Sequence, residues 1–315
     1  MNRNAHRILQ FSPLLLFVLV LVFFGLQSPR FLDPRNLANI AAQSASTGIL
    51  AVGMTFVLLT AGVDLSVGAI MFVTAAIAGK LALSGTPVHV VVPCMLLAGM
   101  LFGSVNAFFI TKLRVVAFVV TLAMLFVGRG LSLWITETRA MNLPAIYLEI
   151  GSARFLGVSI PAWIFLAVLI VGHLVVTRTP LGRQILAVGH DVEAARKAGI
   201  QTGRILAAVY VISGLCAAAA AIITLGQLGA VSPKFGEQKE FAAIAAAVLG
   251  GTSLFGGRGS VLPGALLGTL LIQTIENGLV IMNADPYLYP MVTSGIIFVA
   301  VALESLRNRS APVAR

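Results

Sequence analysis

Catalysis needs acids, bases, nucleophiles or metal ligands brought together, and this chain supplies them sparsely. Its four histidines (His6, His89, His173 and His190) are scattered, with no zinc spacing, and no nucleophile elbow occurs. Cys94 and Cys216 fall inside apolar runs and read as small buried hydrophobes. Gly251 to Gly256 has the spacing of a phosphate-loop start, but Gly257-Arg258 stands where Lys-Ser/Thr would have to follow. Without that lysine and hydroxyl there is no phosphate clamp and no magnesium ligand. Gly250, Gly251, Gly256 and Gly257 therefore read as a tight turn between apolar segments. No convergent catalytic cluster is visible, so the chain is not expected to be an enzyme.

The ionisable residues that remain are unusual for their surroundings. Arg129 lies about 14 residues into an apolar run, about 21 Å along a helix. Glu276 lies at comparable depth in another. Bare charges at such depth are costly and are usually paired or face a cavity. Equal depth and opposite sign suggest an Arg129–Glu276 ion pair; the alternative is that each snorkels outward separately. Asp64, in Gly62-Val63-Asp64-Leu65-Ser66-Val67-Gly68 at an expected cytoplasmic turn, either caps the helix that follows or forms a polar hinge or a contact for a partner protein.

The elements that must position these residues are set by composition. Of 315 residues 58% are hydrophobic and only 10% charged, against roughly 25% charged in ordinary soluble domains. A soluble fold could not hide that much apolar surface, so the solvent is lipid and the fold is an all-α integral membrane bundle, one domain over 1–315. Ten spans are expected, at approximately Ser12–Gln27, Leu37–Ala61, Leu65–Ser84, His89–Thr111, Val115–Thr136, Ile160–Thr177, Arg204–Gln227, Phe241–Leu254, Val261–Met282 and Leu288–Leu303. The eighth is short and glycine-flanked, which fits a broken or re-entrant helix and leaves nine spans as the alternative. Arg3 and Arg7 before the apolar run from Ile8 resemble a signal peptide; the length of the run favours a retained first helix.

The net charge of +10 would suggest nucleic acid in a soluble protein. Here the basic residues cluster at segment ends, which is a matter of membrane orientation instead. With the N-terminus inside, 13 Lys and Arg fall on one face and 7 on the other. Both termini are then cytoplasmic, and the loops Glu137–Ser159 and Leu228–Glu240 face outward. Ala61-Gly62-Val63-Asp64-Leu65 and Gly250-Gly251-Thr252-Ser253-Leu254 form a short internal echo, as transporter repeats do.

One polar stretch interrupts the apolar chain: the 26 residues from Arg178 to Gly203, expected in the cytoplasm. Asp191 is a good N-cap, Glu193 places negative charge in the first turn, and Ala194, Ala195 and Ala198 favour helix. Gly199 sits where a left-handed residue is wanted. Val192–Ala198 thus reads as a two-turn helix carrying Arg196 and Lys197. So short a helix needs tertiary contacts or a partner. It is either a connector lying on its own bundle or an element held by another protein.

Two polar stripes cross apolar spans. Gln43, Ser44, Ser46 and Thr47 lie in the second, and Gln273, Thr274 and Asn277 in the ninth, with Asn106 and Thr121 alone. They suit a path for a hydroxylated solute, and equally plain helix packing in lipid. Gly99-x-x-x-Gly103 and Gly264-x-x-x-Gly268 read as close-packing faces.

Glu193-Ala194-Ala195-x-x-x-Gly199 resembles the coupling loop of ABC importer permeases, without that family's distal Ile-x-Leu-Pro. The chain as a whole resembles the ribose-type sugar permeases of bacterial ABC importers. The stretches that carry this are Ala51–Thr55, Gly62–Gly68, Thr179–Arg183, Ala187–Gly189, Ala243–Ala246, Val248–Leu254, Gly256–Gly259 and Asn277–Leu279, in family order. Ala61 stands where the family usually has glycine, Asp191 where Asn is common, and Ala242 at a position often acidic. The resemblance implies a bacterial inner-membrane permease that binds no cofactor itself. It also implies an ATP-binding subunit with two nucleotide-binding domains that holds ATP and magnesium, a second permease copy, and a periplasmic sugar-binding protein. Gly62, Asp64, Ser66, Gly68, Gly250, Gly251, Gly256 and Gly257 would be structural or gating positions. An ion-coupled secondary transporter is the alternative; it would need coupling-ion groups at mid-membrane, where only Arg129 and Glu276 stand.

Overall fold

The computed structural model describes residues 12–285 together with 287, 288, 291, 292, 294, 295 and 298. The tenth expected span and both chain ends lie largely outside the described residues. The rest is helical: α1 (Ser12–Gln27), α2 (Pro34–Leu59), α3 (Val67–Leu83), α4 (Val88–Thr111), α5 (Ala117–Thr136), α6 (Ile146–Ser152), α7 (Ile160–Arg178), α8 (Pro180–His190), α9 (Val192–Lys197), α10 (Thr202–Leu228), α11 (Lys239–Leu249) and α12 (Leu266–Ile281). A π-helical turn, Val261–Ala265, leads into α12.

Among the described residues six helical stretches are long and apolar enough to cross a membrane: α2, α4, α5, α7, α10, and Val261–Ile281. The stretch in α1 and α3 are shorter apolar helices. The eighth apolar stretch takes the short, broken form expected of it rather than a full span: α11 has 11 residues, about 16 Å at 1.5 Å per residue, half of a bilayer core. It starts where Gln238 adopts a left-handed φ of 61° and stops at Gly250. A full crossing there is replaced by a half-helix.

Helix α2 is the axis of the bundle, buried almost continuously from Ser44 to Leu59. Helices α4 and α10 meet backbone to backbone: a Cβ added at Gly99 would lie 2.5 Å from the Gly214 carbonyl oxygen, and one at Gly103 would strike that of Tyr210. Gly268 likewise lies against the Ala246 carbonyl of α11, and Gly264 against that of Gly250. Both small-x-x-x-small faces read from the sequence are therefore close contacts, the packing that lipid favours.

The bundle has two ends. At one, β1 (Met141–Asn142) pairs antiparallel with β4 (Ala230–Val231), and Met141 stands opposite Val231. This joins the two loops expected to share a face. Lys80 and Glu137 close the same end with an ion pair at 3.1 Å. A second hairpin, β2 (Arg154–Phe155) with β3 (Val158–Ser159), precedes α7. At the other end, the Gly257 amide donates to the Leu59 carbonyl at 3.0 Å, and Gly189 packs against both. That end carries α8 and α9.

Candidate functional site

The polar loop folds as two helices. Thr179 and Pro180 start α8: the Thr179 hydroxyl accepts from the Gly182 amide, and proline occupies the first helical position. The Thr-Pro pair could have revealed this helix in the sequence, where the loop reads as carrying α9 alone. Ile185 and Val188 turn inward. Asp191 then caps α9, its Oδ1 accepting from the amides of Glu193 (2.8 Å) and Ala194 (2.9 Å). Gly199 ends the helix at φ +83°, its amide donating to the Arg196 carbonyl at 3.0 Å, while Ile200 donates to Ala195. Ala195 is the one buried residue of α9; Glu193, Ala194, Arg196 and Lys197 are exposed. Arg196 pairs with Glu193 at 2.7 Å along the helix. The result is a capped, stopped helix whose outer face is free and whose inner face rests on one alanine.

The loop that joins α2 to α3 is not a surface turn. Asp64 is fully buried. Its Oδ1 accepts from the Ser66 amide (3.0 Å) and hydroxyl (2.6 Å), and its Oδ2 from the Ser213 hydroxyl of α10 (2.7 Å). The Asn106 amide of α4 donates to the Ser66 hydroxyl at 2.8 Å. Thr121 of α5 donates to the Val63 carbonyl. Asp64 therefore does not cap α3; that position is Ser66. It clasps the chain break to α10, and through Ser66 to α4. Asn106, expected on the solute path, belongs to this clasp.

Helix α3 begins in the bundle interior beside the start of α11. A Cβ at Gly68 would strike the Gly236 carbonyl and the Glu240 carboxylate. Glu240 is buried, and its Oε2 has no hydrogen-bond partner among the described residues. Arg129 reaches this junction: its Nη1 donates to the Phe235 carbonyl at 2.8 Å, its guanidinium lies 5.7 Å from the Phe72 ring centre, and the charges of Glu240 and Glu237 act on it. The expected Arg129–Glu276 pair is thus corrected. Arg129 is held by the Phe235 carbonyl and lies over the Phe72 ring, and among the described residues it forms no ion pair with Glu276.

The two polar stripes meet. Gln273 donates to Gln43 at 3.1 Å, and Asn277 exchanges two hydrogen bonds with Asn36, at 2.9 and 3.1 Å. Lys239 donates to Thr47 at 3.2 Å. Ser44 does not join them; its hydroxyl bonds back to the Ile40 carbonyl. Thr274 is buried beside Gln273. Asn36 and Lys239 were not marked by the sequence pattern, because each stands alone in an otherwise unremarkable segment.

The glycine turn after α11 packs under the first break. Gly256 lies against Ala61, Gly257 against the His190 ring, and Gly251, Gly256 and Gly257 all take positive φ. The two echoing loops of the sequence are therefore in contact, with α8 against both.

Among the described residues no group of three or more His, Cys, Asp or Glu could hold a metal ion. The profile of the family described as branched-chain amino acid transport system / permease component matches residues 36–302. The ribose import permease of Bacillus subtilis is 37% identical over 94% of this chain and 92% of its own length. That of Haemophilus influenzae is 34% identical over 91% and 90%, and the D-allose transport system permease protein of Escherichia coli K12 33% over 95% and 93%. No solved structure matches the chain. The chain that carries this buried helix break, half-helix and exposed capped loop helix aligns with these permeases nearly end to end, and it belongs to the branched-chain amino acid transport system / permease component family.

Proposed function

We propose that the chain is the membrane permease of an ATP-driven importer that carries a monosaccharide or sugar-like solute across the bacterial inner membrane. Its relatives are ribose, allose, fructose and xylose permeases over most of their length. The observation that carries the reading is the loop 178–203: an exposed, capped α9 directly after α8, whose Gly189 rests on the carbonyl of Leu59 and the amide of Gly257.

The partners follow from the family. An ATP-binding subunit with two nucleotide-binding domains takes α9 in a groove and holds ATP and magnesium; this chain binds no cofactor. A second permease copy completes the path, and a periplasmic sugar-binding protein delivers the solute at the end with β1 and β4. Both termini are cytoplasmic in this reading, and 1–315 form one domain. Closure of the ATPase pushes α9. Helix α8 passes the push to the loops after α2 and α11; the first carries Asp64 and Ser66, and the second ends the half-helix α11. Asp191, Glu193, Ala194, Ala195 and Gly199 hold the docking helix in shape, and Arg196 and Lys197, both exposed, meet acidic residues of the groove.

The test is uptake of radiolabelled D-ribose into liposomes that hold the permease, its neighbouring ATPase and the binding protein. ATP-dependent accumulation is expected. Uptake that needs an ion gradient and no ATPase would replace the reading with a secondary transporter.

A further inference from the structure

The polar contacts between α2, α11 and α12 form a ladder with charges at its foot. Its rungs are Asn36–Asn277, Gln43–Gln273 and Thr47–Lys239. The 11 positions from 36 to 47 span roughly 16 Å of helix. The ladder therefore runs from the end bearing β1 and β4 to the middle of the bundle. At its foot Lys239 donates to Thr47, and Glu276 stands three positions after Gln273 and one before Asn277, on the same side of α12.

Two features separate this cluster from ordinary helix glue. First, it is open: Gln43 is exposed, and Asn36, Lys239, Glu276 and Asn277 are partly so. Ionised side chains against hydrocarbon are strongly disfavoured, so the space these groups face is aqueous. Second, it is mixed and neutral in sum. An ammonium offers three donors and a carboxylate only acceptors, while the amides and Thr47 offer both. A sugar hydroxyl donates one hydrogen bond and accepts two, so neighbouring hydroxyls match a donor and an acceptor set side by side. One positive and one negative charge give no preference for an ionic solute.

We infer that Lys239 and Glu276, with Gln43, Thr47 and Gln273, form a hydroxyl-recognising station midway along the translocation path, built for a neutral polyhydroxylated solute. This rests on the sugar-permease reading.

The test compares Lys239→Met, Glu276→Gln and the double variant in liposomes with the ATPase and the D-ribose-loaded binding protein. Uptake and the ATP hydrolysis stimulated by the loaded binding protein are read in parallel. Each single variant is expected to slow D-ribose uptake roughly 10- to 100-fold, as for the loss of a hydrogen bond to a charged group. Stimulated hydrolysis should stay within about twofold, and the double variant should be no slower than the worse single, the non-additivity expected of groups that share one ligand. Thr47→Val, which leaves both charges in place, should slow uptake roughly fivefold. Uptake within twofold of wild type in both singles would overturn the station, as would an equal fall of uptake and hydrolysis. If a charge variant fails to fold, the Thr47→Val result decides. Wild-type protein that accumulates none of D-ribose, D-allose or D-fructose would overturn the sugar reading, and the station with it.

Discussion

Ser213→Ala tests whether the break between α2 and α3 is held as the geometry states. The Ser213 hydroxyl donates to Asp64 Oδ2 at 2.7 Å, and Oδ2 has no other donor. Both residues are buried, Asp64 completely. The substitution removes one oxygen and almost no volume, so no cavity term enters. What is lost is one buried hydrogen bond, and the orphaned carboxyl oxygen stays out of reach of water. Such losses run to about 1–3 kcal/mol; we take about 2 kcal/mol. In an Asp64→Ala background the serine has nothing to donate to. There the same substitution should change stability by less than about 0.5 kcal/mol, leaving a coupling of about 1.5 kcal/mol. The assay is reversible unfolding in mixed detergent micelles by the four variants of the cycle. A Ser213→Ala effect below about 0.5 kcal/mol, or one equal in both backgrounds, would refute the clasp.

Ala61 takes φ +58°, the left-handed region that charges an L-residue about 1–2 kcal/mol; Ala61→Gly should stabilise by about 1 kcal/mol in the same unfolding assay. Arg129→Met and Glu276→Gln should add within about 0.5 kcal/mol in a double-mutant cycle, since they do not touch, whereas Arg129→Met with Glu240→Gln should not add. The Lys80 ammonium beside Glu137 holds that exposed carboxyl below its usual range. Its folded-state affinity for the proton is thus the weaker one, so the stability this pair contributes is present above the ordinary carboxylate range and lost as pH falls through it. The stability difference between wild type and Lys80→Met should therefore be seen at pH 7 and vanish at pH 3, and 1 M salt should shrink it at pH 7.

The spans were legible because lipid demands long apolar runs. His89–Thr111 was expected and Val88–Thr111 found; Val115–Thr136 was expected and Ala117–Thr136 found. The eighth was legible as short and glycine-flanked, and α11 does stop at Leu249, where Gly250-Gly251 begins. Asp191 and Gly199 were legible since capping is local chemistry. Arg129, Asp64 and Lys239 were not, because their partners lie 106, 149 and 192 positions away. A charge in an apolar run announces that it has a partner, but depth alone does not say which. Arg129 found a backbone carbonyl, and carbonyls leave no mark in a sequence. The departure at Ala61 was visible only beside the family, and its left-handed backbone gives it a physical meaning.

The central claim is that α9 docks an ATPase, and Gly199 offers the cleanest perturbation. It is exposed, a Cβ there would meet nothing within 4 Å, and its φ is +83°. Proline fixes φ near −65° and removes the amide that bonds the Arg196 carbonyl, so Gly199→Pro should unseat the end of α9 and leave the bundle intact. The measurement is co-purification of the neighbouring ATPase with the tagged permease, wild type against Gly199→Pro, with monodispersity of both confirmed. Capture by wild type and at least a tenfold loss in the variant is the predicted result. Equal capture by a well-folded variant, or no capture by wild type, would contradict it.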